Sequence, residues 1–102
     1  MNVRAAAAVV AAVLLLPAWA AAAEHVVTIE GMQFNANVTV HPGDRVTWRN
    51  ADLVPHTATA AGRFDSGAIA PGKSWSWTAR AKGRHDYVCT YHPGMKATLE
   101  VE

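Results

Sequence analysis

Three side chains that bind soft metals stand close together near the end of this chain. The stretch from Cys89 to Met95 (CTYHPGM) supplies a thiolate, an imidazole and a thioether within seven residues. Sulfur ligands favour soft metals such as Cu(I), and imidazole suits copper and zinc alike. Pro93 and Gly94 are residue types that bend a chain, here between His92 and Met95. The segment therefore predicts that three side chains converge on one metal ion.

A fourth ligand must come from elsewhere in the chain, and His56 is the candidate. It follows a Val-Pro pair at the start of a predicted strand, and it can lie beside Cys89 if their two strands are neighbours. Two imidazoles and one thiolate in a plane, with a distant axial thioether, are the ligands of a blue-copper electron-transfer site. The predicted copper ligands are His56, Cys89, His92 and Met95.

Other interpretations of these residues have to be weighed. Zinc also binds cysteine and histidine, but a structural zinc site more often has a second cysteine or a third histidine, and methionine is a poor zinc ligand. Taken singly, each residue is ordinary: a buried thiol, a satisfied histidine, or a methionine that fills a gap in the core. The prediction depends on the combination of C-x2-H-x2-M at a strand end with Pro-His about thirty residues upstream.

The elements that must hold these ligands are β-strands, because apolar residues after position 23 alternate with a period of two. Arg45 to Arg49 places Val46 and Trp48 on one side, and Lys73 to Arg80 and Lys96 to Glu102 repeat the pattern. Further predicted strands, rich in β-branched or aromatic residues, are Val26 to Glu30, Ala36 to Val40, His56 to Ala60 and Arg84 to Cys89. Seven or eight short strands predict an all-β fold, a small two-sheet Greek-key sandwich.

The first 23 residues are predicted to be a secretory signal peptide. Met1 to Arg4 is a short positive start, Ala5 to Leu16 is apolar, and Ala18 to Ala23 supplies the small residues that precede a cleavage point. The expected domains are a cleaved leader over residues 1–23 and a copper-binding domain over residues 24–102, located in the periplasm without stable membrane association. An uncleaved membrane anchor is the alternative, since residues 5–23 are nearly long enough to span a bilayer.

Charge and cysteine count narrow the function classes. The chain has nine Lys plus Arg and eight Asp plus Glu, and removal of Arg4 leaves eight of each, so nothing indicates nucleic-acid binding. Cys89 is the only cysteine, so an intramolecular disulfide is excluded. In an oxidising compartment a lone cysteine is buried, paired between chains or bound to a metal. A metal would also support a domain of only about 80 residues.

Most of the predicted domain resembles the cupredoxins, and within them amicyanin, with pseudoazurin and plastocyanin as more distant relatives. The resemblance runs through Val40 to Asn50 (VHPGDRVTWRN), Pro55 to Thr57, Phe64 to Gly67, Pro71 to Lys73, and Tyr87 to Met95. It implies one type 1 copper ion on the four ligands predicted above. It also implies that Asn50 braces the cysteine-bearing loop, and that His92 is an electron port.

The port is expected to lie in an apolar surface, here named the docking patch. Its predicted residues are Met32, Leu53, Pro55, His92, Pro93 and Gly94. Three residues depart from the family pattern: His85 stands where relatives usually have an aromatic residue, Tyr91 replaces a common proline, and Gly94 replaces a bulkier residue. We expect His85 to be half-buried and hydrogen-bonded, and the two histidines outside these motifs, His25 and His41, to be solvated.

These observations favour a monomeric electron carrier that cycles between Cu(I) and Cu(II) and is not an enzyme. Its partner would be a redox protein bound transiently, for example a cytochrome c or a periplasmic dehydrogenase or reductase. A copper chaperone or storage protein is the alternative, but it needs exposed, exchangeable ligands, whereas Cys89 is predicted at a strand end inside a sandwich. An oxidase or nitrite-reductase module would need further copper ligands or another domain.

Overall fold

A computed structural model describes residues 11, 12 and 21 to 102, which form strands and no helix. The strands are β1 (Glu24–Glu30), β2 (Gln33–Phe34), β3 (Val38–Val40), β4 (Arg45–Asn50), β5 (Thr59–Ala60), β6 (Phe64–Asp65), β7 (Ser74–Thr78), β8 (Gly83–Cys89) and β9 (His92–Val101). Within the described ranges, no helix has the length and apolar character needed to cross a membrane. Of the predicted signal peptide, residues 1–10 and 13–20 lie outside the described residues.

The strands form two sheets, with the orders β2-β1-β4-β7 and β3-β9-β8-β5-β6. The pairs β1 with β4 and β3 with β9 are parallel, while the other pairs, such as β4 with β7 and β8 with β9, are antiparallel. Strands that are consecutive in sequence often lie in different sheets, so the chain crosses repeatedly from one layer to the other. This arrangement confirms the predicted all-β sandwich.

Side chains that alternate along the strands form the core between the sheets. Val46 and Trp48 are fully buried, whereas Arg45 and Arg49 on the same strand are exposed, as the period of two predicts. Trp48 packs in the centre of the core, with its ring 5.3 Å from the Phe64 ring. Such burial of large aromatic side chains is the main stabilising contribution in a domain of this size.

The last strand departs from the sequence prediction in a way that matters for the site. It begins at His92 rather than at Lys96. Val88 pairs with Lys96, but Cys89 pairs with His92, so residues 93–95 form a bulge in β9 that has no partner on β8. A bulge bends its strand and redirects side chains. The short strands β2 and β6 were not predicted, because two residues cannot show an alternation.

Ala23, one residue before the predicted start of the domain, is already bonded to the sandwich. Ala23 donates its N–H to Asp44 Oδ1 at 2.9 Å, and its carbonyl accepts the N–H of Arg45 at 2.9 Å. The strand β1 follows at once and runs parallel to β4. Residue 23, the last residue of the predicted leader, therefore already lies against the fold.

Candidate metal centre

Three of the four predicted ligands meet at one end of the sandwich. Cys89 ends β8 and His92 begins β9, while His56 lies just before β5, where its backbone pairs with Ile69 in an isolated bridge. Because β5 and β8 are neighbours in the sheet, His56 comes to lie beside Cys89. The ligand atoms of the three side chains lie within 4.8 Å of one another.

The two imidazoles approach the sulfur symmetrically. Cys89 Sγ lies 3.7 Å from His56 Nδ1 and 3.7 Å from His92 Nδ1. Metal–sulfur and metal–nitrogen bonds of about 2.3 and about 2.0 Å, as in zinc sites, would separate sulfur from nitrogen by about 3.7 Å at 120° and about 3.5 Å at a tetrahedral angle. The observed spacing fits one ion bound by one sulfur and two nitrogens, the set that a blue-copper site has in its plane. The residues present therefore fit a copper ion.

Met95 is turned inward by the bulge in β9. It is 5% exposed, whereas Pro93 and Gly94 before it are exposed. Lys96 after it also faces solvent. An inward side chain at this position is what an axial thioether ligand requires, and the ligand role of Met95 stays a prediction.

The three converging residues differ in their access to solvent. His56 and Cys89 are fully buried, and His92 is half-buried. Their imidazole rings lie 5.4 Å apart between centroids. Of the three, His92 is thus the one side chain through which this centre reaches the surface.

Cys89 is prepared to bind a metal as a thiolate. Burial opposes its ionisation, but the N–H of Thr57, the imidazoles of His56 and His92, and the N–H of Tyr91 all hydrogen-bond to the sulfur and together lower the pKa of Cys89 to about 6. The thiolate is the form that ligates metals. In the metal-free protein at neutral pH, Cys89 is therefore mainly a thiolate already, so metal binding seldom has to remove a proton from it.

Thr57 ties the histidine segment to the cysteine segment, a role that the sequence analysis did not assign. Its N–H donates to Cys89 Sγ at 3.3 Å. Its Oγ1 accepts the N–H of Thr90 at 2.9 Å and lies 3.1 Å from the Thr90 hydroxyl. A threonine directly after Pro-His was visible in the sequence, but the strand that it would face was not. Thr57 keeps the two ligand segments at a fixed distance.

Asn50 supports a different loop from the one that the family resemblance implies. Its Nδ2 donates to the carbonyls of Val54 at 2.8 Å and Ile69 at 2.9 Å, and its Oδ1 accepts the N–H of Asp52 at 2.9 Å. These partners belong to the histidine-bearing loop and its neighbour, not to the cysteine-bearing loop. The reason is topological: Asn50 ends β4, so its buried side chain reaches the loop that leaves that strand.

Asp52 is a further polar residue of this centre that the sequence analysis missed. Its Oδ2 lies 2.8 Å from His56 Nε2, and its two oxygens accept the N–H groups of Gly31 at 2.7 Å and Met32 at 2.9 Å. The N–H of Met32 is the largest cause of a lowered Asp52 pKa; burial opposes it, and Gly31 and His56 reinforce it. The sequence held one signal for this role, because Asp52 stands four positions before the candidate ligand His56.

The residues of the docking patch are exposed near the same end of the molecule. Leu53 is 95% exposed and Met32 is 41% exposed, and the turn that carries Met32 is bonded to the loop that carries Leu53 through Asp52. Val54 and Tyr91 add exposed apolar surface that the prediction did not include. The remaining predicted members that are exposed are Pro55, Pro93 and Gly94.

The other histidines are held in different ways. His85 is 3% exposed, more buried than expected, and it is hydrogen-bonded as predicted: Nδ1 lies 3.3 Å from an Arg63 nitrogen and Nε2 lies 3.3 Å from the Ala81 carbonyl. His41 is exposed as expected. His25 is not solvated, because it is half-buried against a carboxylate. Elsewhere in the described chain, no group of three His, Cys, Asp or Glu side chains is as close together as the centre above.

Three known proteins that are similar to this chain in sequence are all amicyanins. No family model matches the chain. It is similar to amicyanin-alpha of Methylorubrum extorquens, with 32% identity over 87 residues that cover 74% of this chain and 70% of that protein. The amicyanins of Paracoccus versutus and Paracoccus denitrificans are 30% and 33% identical over 84 residues. That match covers 76% of this chain but 64% of each relative, which is less than two thirds of their length.

Solved structures with the same fold agree with these relatives. The Cu(I) form of a methionine-to-alanine variant of amicyanin superposes with a TM-score of 0.71 at 31% identity, covering 76% of this chain and 80% of that one. The reduced form of a tryptophan-to-tyrosine variant of amicyanin gives 0.72 at 30% identity, covering 78% and 82%. The likeness extends over most of the sandwich, beyond the ligand segment alone.

Proposed function

This chain belongs to the cupredoxin family, in its amicyanin branch, and we propose that it is an electron carrier that holds one copper ion and cycles between Cu(I) and Cu(II). The observation that carries the proposal is the spacing of His56 Nδ1, Cys89 Sγ and His92 Nδ1, with both nitrogens 3.7 Å from the sulfur. When bound, copper supplies one-electron redox chemistry that no side chain of this centre has by itself.

We assign His56, Cys89 and His92 to the plane of the site and Met95 to the axial position. The two sheets hold these ligands from opposite sides, because Asn50 of one sheet fixes the loop before His56 and Thr57 joins that segment to the β8 strand end. Ligands held in this way move little when the charge of the site changes. A small rearrangement keeps the barrier to electron transfer low, which is what a carrier needs.

His92 is the proposed port for electrons. It is the half-buried ligand, and Pro93 and Gly94 of the docking patch follow it as exposed residues. The patch is apolar, and the domain of residues 24–102 has eight Lys plus Arg and eight Asp plus Glu, so long-range electrostatic steering is small. We therefore propose transient docking with another redox protein, for example a cytochrome c or a periplasmic dehydrogenase or reductase, by a monomer that transforms no substrate itself.

The proposed location is the periplasm, with residues 1–23 removed as a leader and residues 24–102 forming the copper domain. Two features support this proposal. The sequence of the first 23 residues has the order of a signal peptide, and the first strand of the sandwich begins at Glu24.

The absorption spectrum of the copper-loaded protein tests the function. We expect an intense visible band from the Cys89 thiolate bound to Cu(II), and we expect reduction to remove it. Cys89→Ser should abolish this band while retaining the circular dichroism of a β-sandwich; Thr90→Ser, next to it in sequence and exposed, is the matched control and should stay coloured. A colourless Cu(II) complex of the wild-type protein would refute the assignment.

A second measurement distinguishes a carrier from a copper-delivery protein. Because His56 and Cys89 are fully buried, we expect electron exchange with a small redox protein to be much faster than transfer of Cu(I) to an acceptor protein. The exchange should also change little with salt, since the patch is apolar. Ready hand-over of Cu(I) together with slow electron exchange would instead support copper delivery or storage.

A further inference from the structure

We propose that Asp52 is a positioning residue for His56: its carboxylate fixes the imidazole so that Nδ1 faces Cys89, and its negative charge sets the balance between the Cu(II) and Cu(I) forms. This inference rests on the copper site proposed above. It concerns a residue that neither the sequence motifs nor the ligand set includes.

The direction of the hydrogen bonds follows from the groups that meet at Asp52. The N–H groups of Gly31 and Met32 and Nε2 of His56 lie 2.7, 2.9 and 2.8 Å from the carboxylate oxygens. An ionised carboxylate can only accept, so His56 must donate from Nε2. A neutral imidazole has one N–H, and its other nitrogen, Nδ1, then has a free lone pair. That nitrogen is the one 3.7 Å from Cys89 Sγ.

Asp52 is itself held in place from two sides. Its own N–H donates to Oδ1 of Asn50, which is fully buried. Its carboxylate closes the turn between β1 and β2, in which Gly31 and Met32 have φ angles of +63° and +61°. A non-glycine residue with this backbone is strained, and the hydrogen bonds to Asp52 offset that strain. The carboxylate therefore cannot turn away from His56 without releasing the turn.

The carboxylate of Asp52 is largely buried and, within the described residues, has no Lys or Arg nitrogen within 4.0 Å. Its side chain is 14% exposed, and within the described residues its one partner among the close charged pairs is His56. A fixed negative charge stabilises the site more when the metal carries the larger positive charge. Asp52 should thus favour Cu(II) over Cu(I), and its removal should raise the reduction potential.

The first test needs no metal. In the metal-free protein, 15N NMR of the His56 ring should show a proton on Nε2, the nitrogen 2.8 Å from Asp52 Oδ2, whatever the state of Nδ1 beside Cys89. In Asp52→Asn the amide presents an acceptor at one atom and a donor at the other, so it cannot accept from all three groups, and we expect the Nε2–H form to lose its dominance. A wild-type ring with no proton on Nε2, or an unchanged ring in Asp52→Asn, would overturn the positioning role whatever the colour of the copper form.

The second test compares reduction potentials. Partners that orient a metal-bound histidine typically contribute 10- to 100-fold in metal affinity. We expect the Asp52→Asn substitution to lower the affinity for Cu(II) at least tenfold relative to the affinity for Cu(I). For a one-electron couple, a tenfold change raises the reduction potential by about 59 mV. Asp52→Glu keeps the charge and both acceptor oxygens and should recover most of this change.

Asp86→Asn is the matched control. Asp86 is exposed on β8 and bonds to Arg84 and Thr98, so its substitution removes the same charge without touching His56, and the Cu(II)-to-Cu(I) affinity ratio should change less than twofold. Equal shifts in Asp52→Asn and Asp86→Asn would overturn the proposal. If Asp52→Asn does not fold, the wild-type NMR signal still decides the positioning role. A blue wild-type protein with no specific effect of Asp52 would leave the carrier function standing and refute this inference alone.

Discussion

Two aspartate–histidine pairs stand at opposite ends of this sandwich, and they are built almost alike. Asp52 bonds to His56 at 2.8 Å and accepts two backbone N–H groups, and Asp44 bonds to His25 at 3.0 Å and also accepts two. The difference lies on the far side of each imidazole ring. His56 turns its other nitrogen towards Cys89 Sγ, whereas His25 takes part in no three-residue cluster among the described residues.

A hydrogen bond to a carboxylate does not by itself make a histidine a metal ligand. The same bond can serve stability at one end and metal chemistry at the other. Burial follows this division, since the side chain of His56 is fully buried and that of His25 is 28% exposed. We therefore expect changes at the Asp52 pair to alter the copper site, and changes at the Asp44 pair to alter folding stability.

The largest difference is expected when the two histidines are removed. His56→Ala takes away one of three ligands in the plane, so Cu(II) affinity should fall by more than the roughly 100-fold that a partner of a ligand contributes, and the blue band should disappear. His25→Ala should keep both the band and the affinity. Copper titration followed by visible absorption measures the two effects. A blue His56→Ala protein would contradict the proposed ligand set.

The next effect concerns Asp44 and depends on pH. The N–H groups of Ala23 and His41 and the side chain of His25 lower the pKa of Asp44 from 3.8 to about 2, against burial. A carboxyl group with a lowered pKa in the folded state stabilises the protein above pH about 4 and loses this contribution as the pH falls towards 2. In a chain that retains Ala23, whose N–H is the largest cause of the lowered pKa, Asp44→Asn should therefore reduce the free energy of unfolding by about 2 kcal/mol at neutral pH.

Urea unfolding of the metal-free protein between pH 2 and 7 measures this contribution. The wild-type protein should lose stability faster than Asp44→Asn as the pH falls below about 4, and the two curves should converge near pH 2. The reduction potential of copper-loaded Asp44→Asn should equal that of the wild type. If the unfolding free energies of the two proteins ran parallel with pH, or if Asp44→Asn shifted the reduction potential, the Asp44 pair would not act on stability alone.

The smallest effect concerns the exposed apolar residues beside the two pairs. Leu53 follows Asp52 and is 95% exposed, and Val26 follows His25 and is 59% exposed. Leu53→Ser should slow electron exchange roughly fivefold, as expected for about 1 kcal/mol of lost contact at an interface, without a change in potential. Val26→Ser is the control and should exchange at the wild-type rate. Equal slowing in both variants would remove the docking patch from the proposal.

Much of the architecture could be predicted from local patterns. The alternation around Val46 and Trp48 indicated a strand with one buried face, and the structure confirms it. The types and spacing of Cys89 and His92 indicated a metal centre, because both residues lie on one short segment whose geometry is set by nearby bonds. His56 required the added assumption that β5 and β8 are neighbours, and this pairing is present.

The rest depended on contacts between residues far apart in sequence. Thr57 reaches Cys89 across 32 positions, and Gly31 reaches Asp52 across 21. Neither a period of two nor a ligand motif carries information about which loops meet at such a distance. For the same reason Asn50 could be recognised as important, while the loop that it supports could not be identified before β4 was placed.

The sequence by itself determined the chemical types of the ligands and the period of the strands, since both are properties of short segments. The tertiary structure alone decided that Nε2 of His56 lies beside Asp52, that His25 is drawn against Asp44, and that the bulge after His92 turns Met95 inward. Each of these depends on packing two sheets together, because a hydrogen-bond partner or a buried face exists only when the other strand is in place.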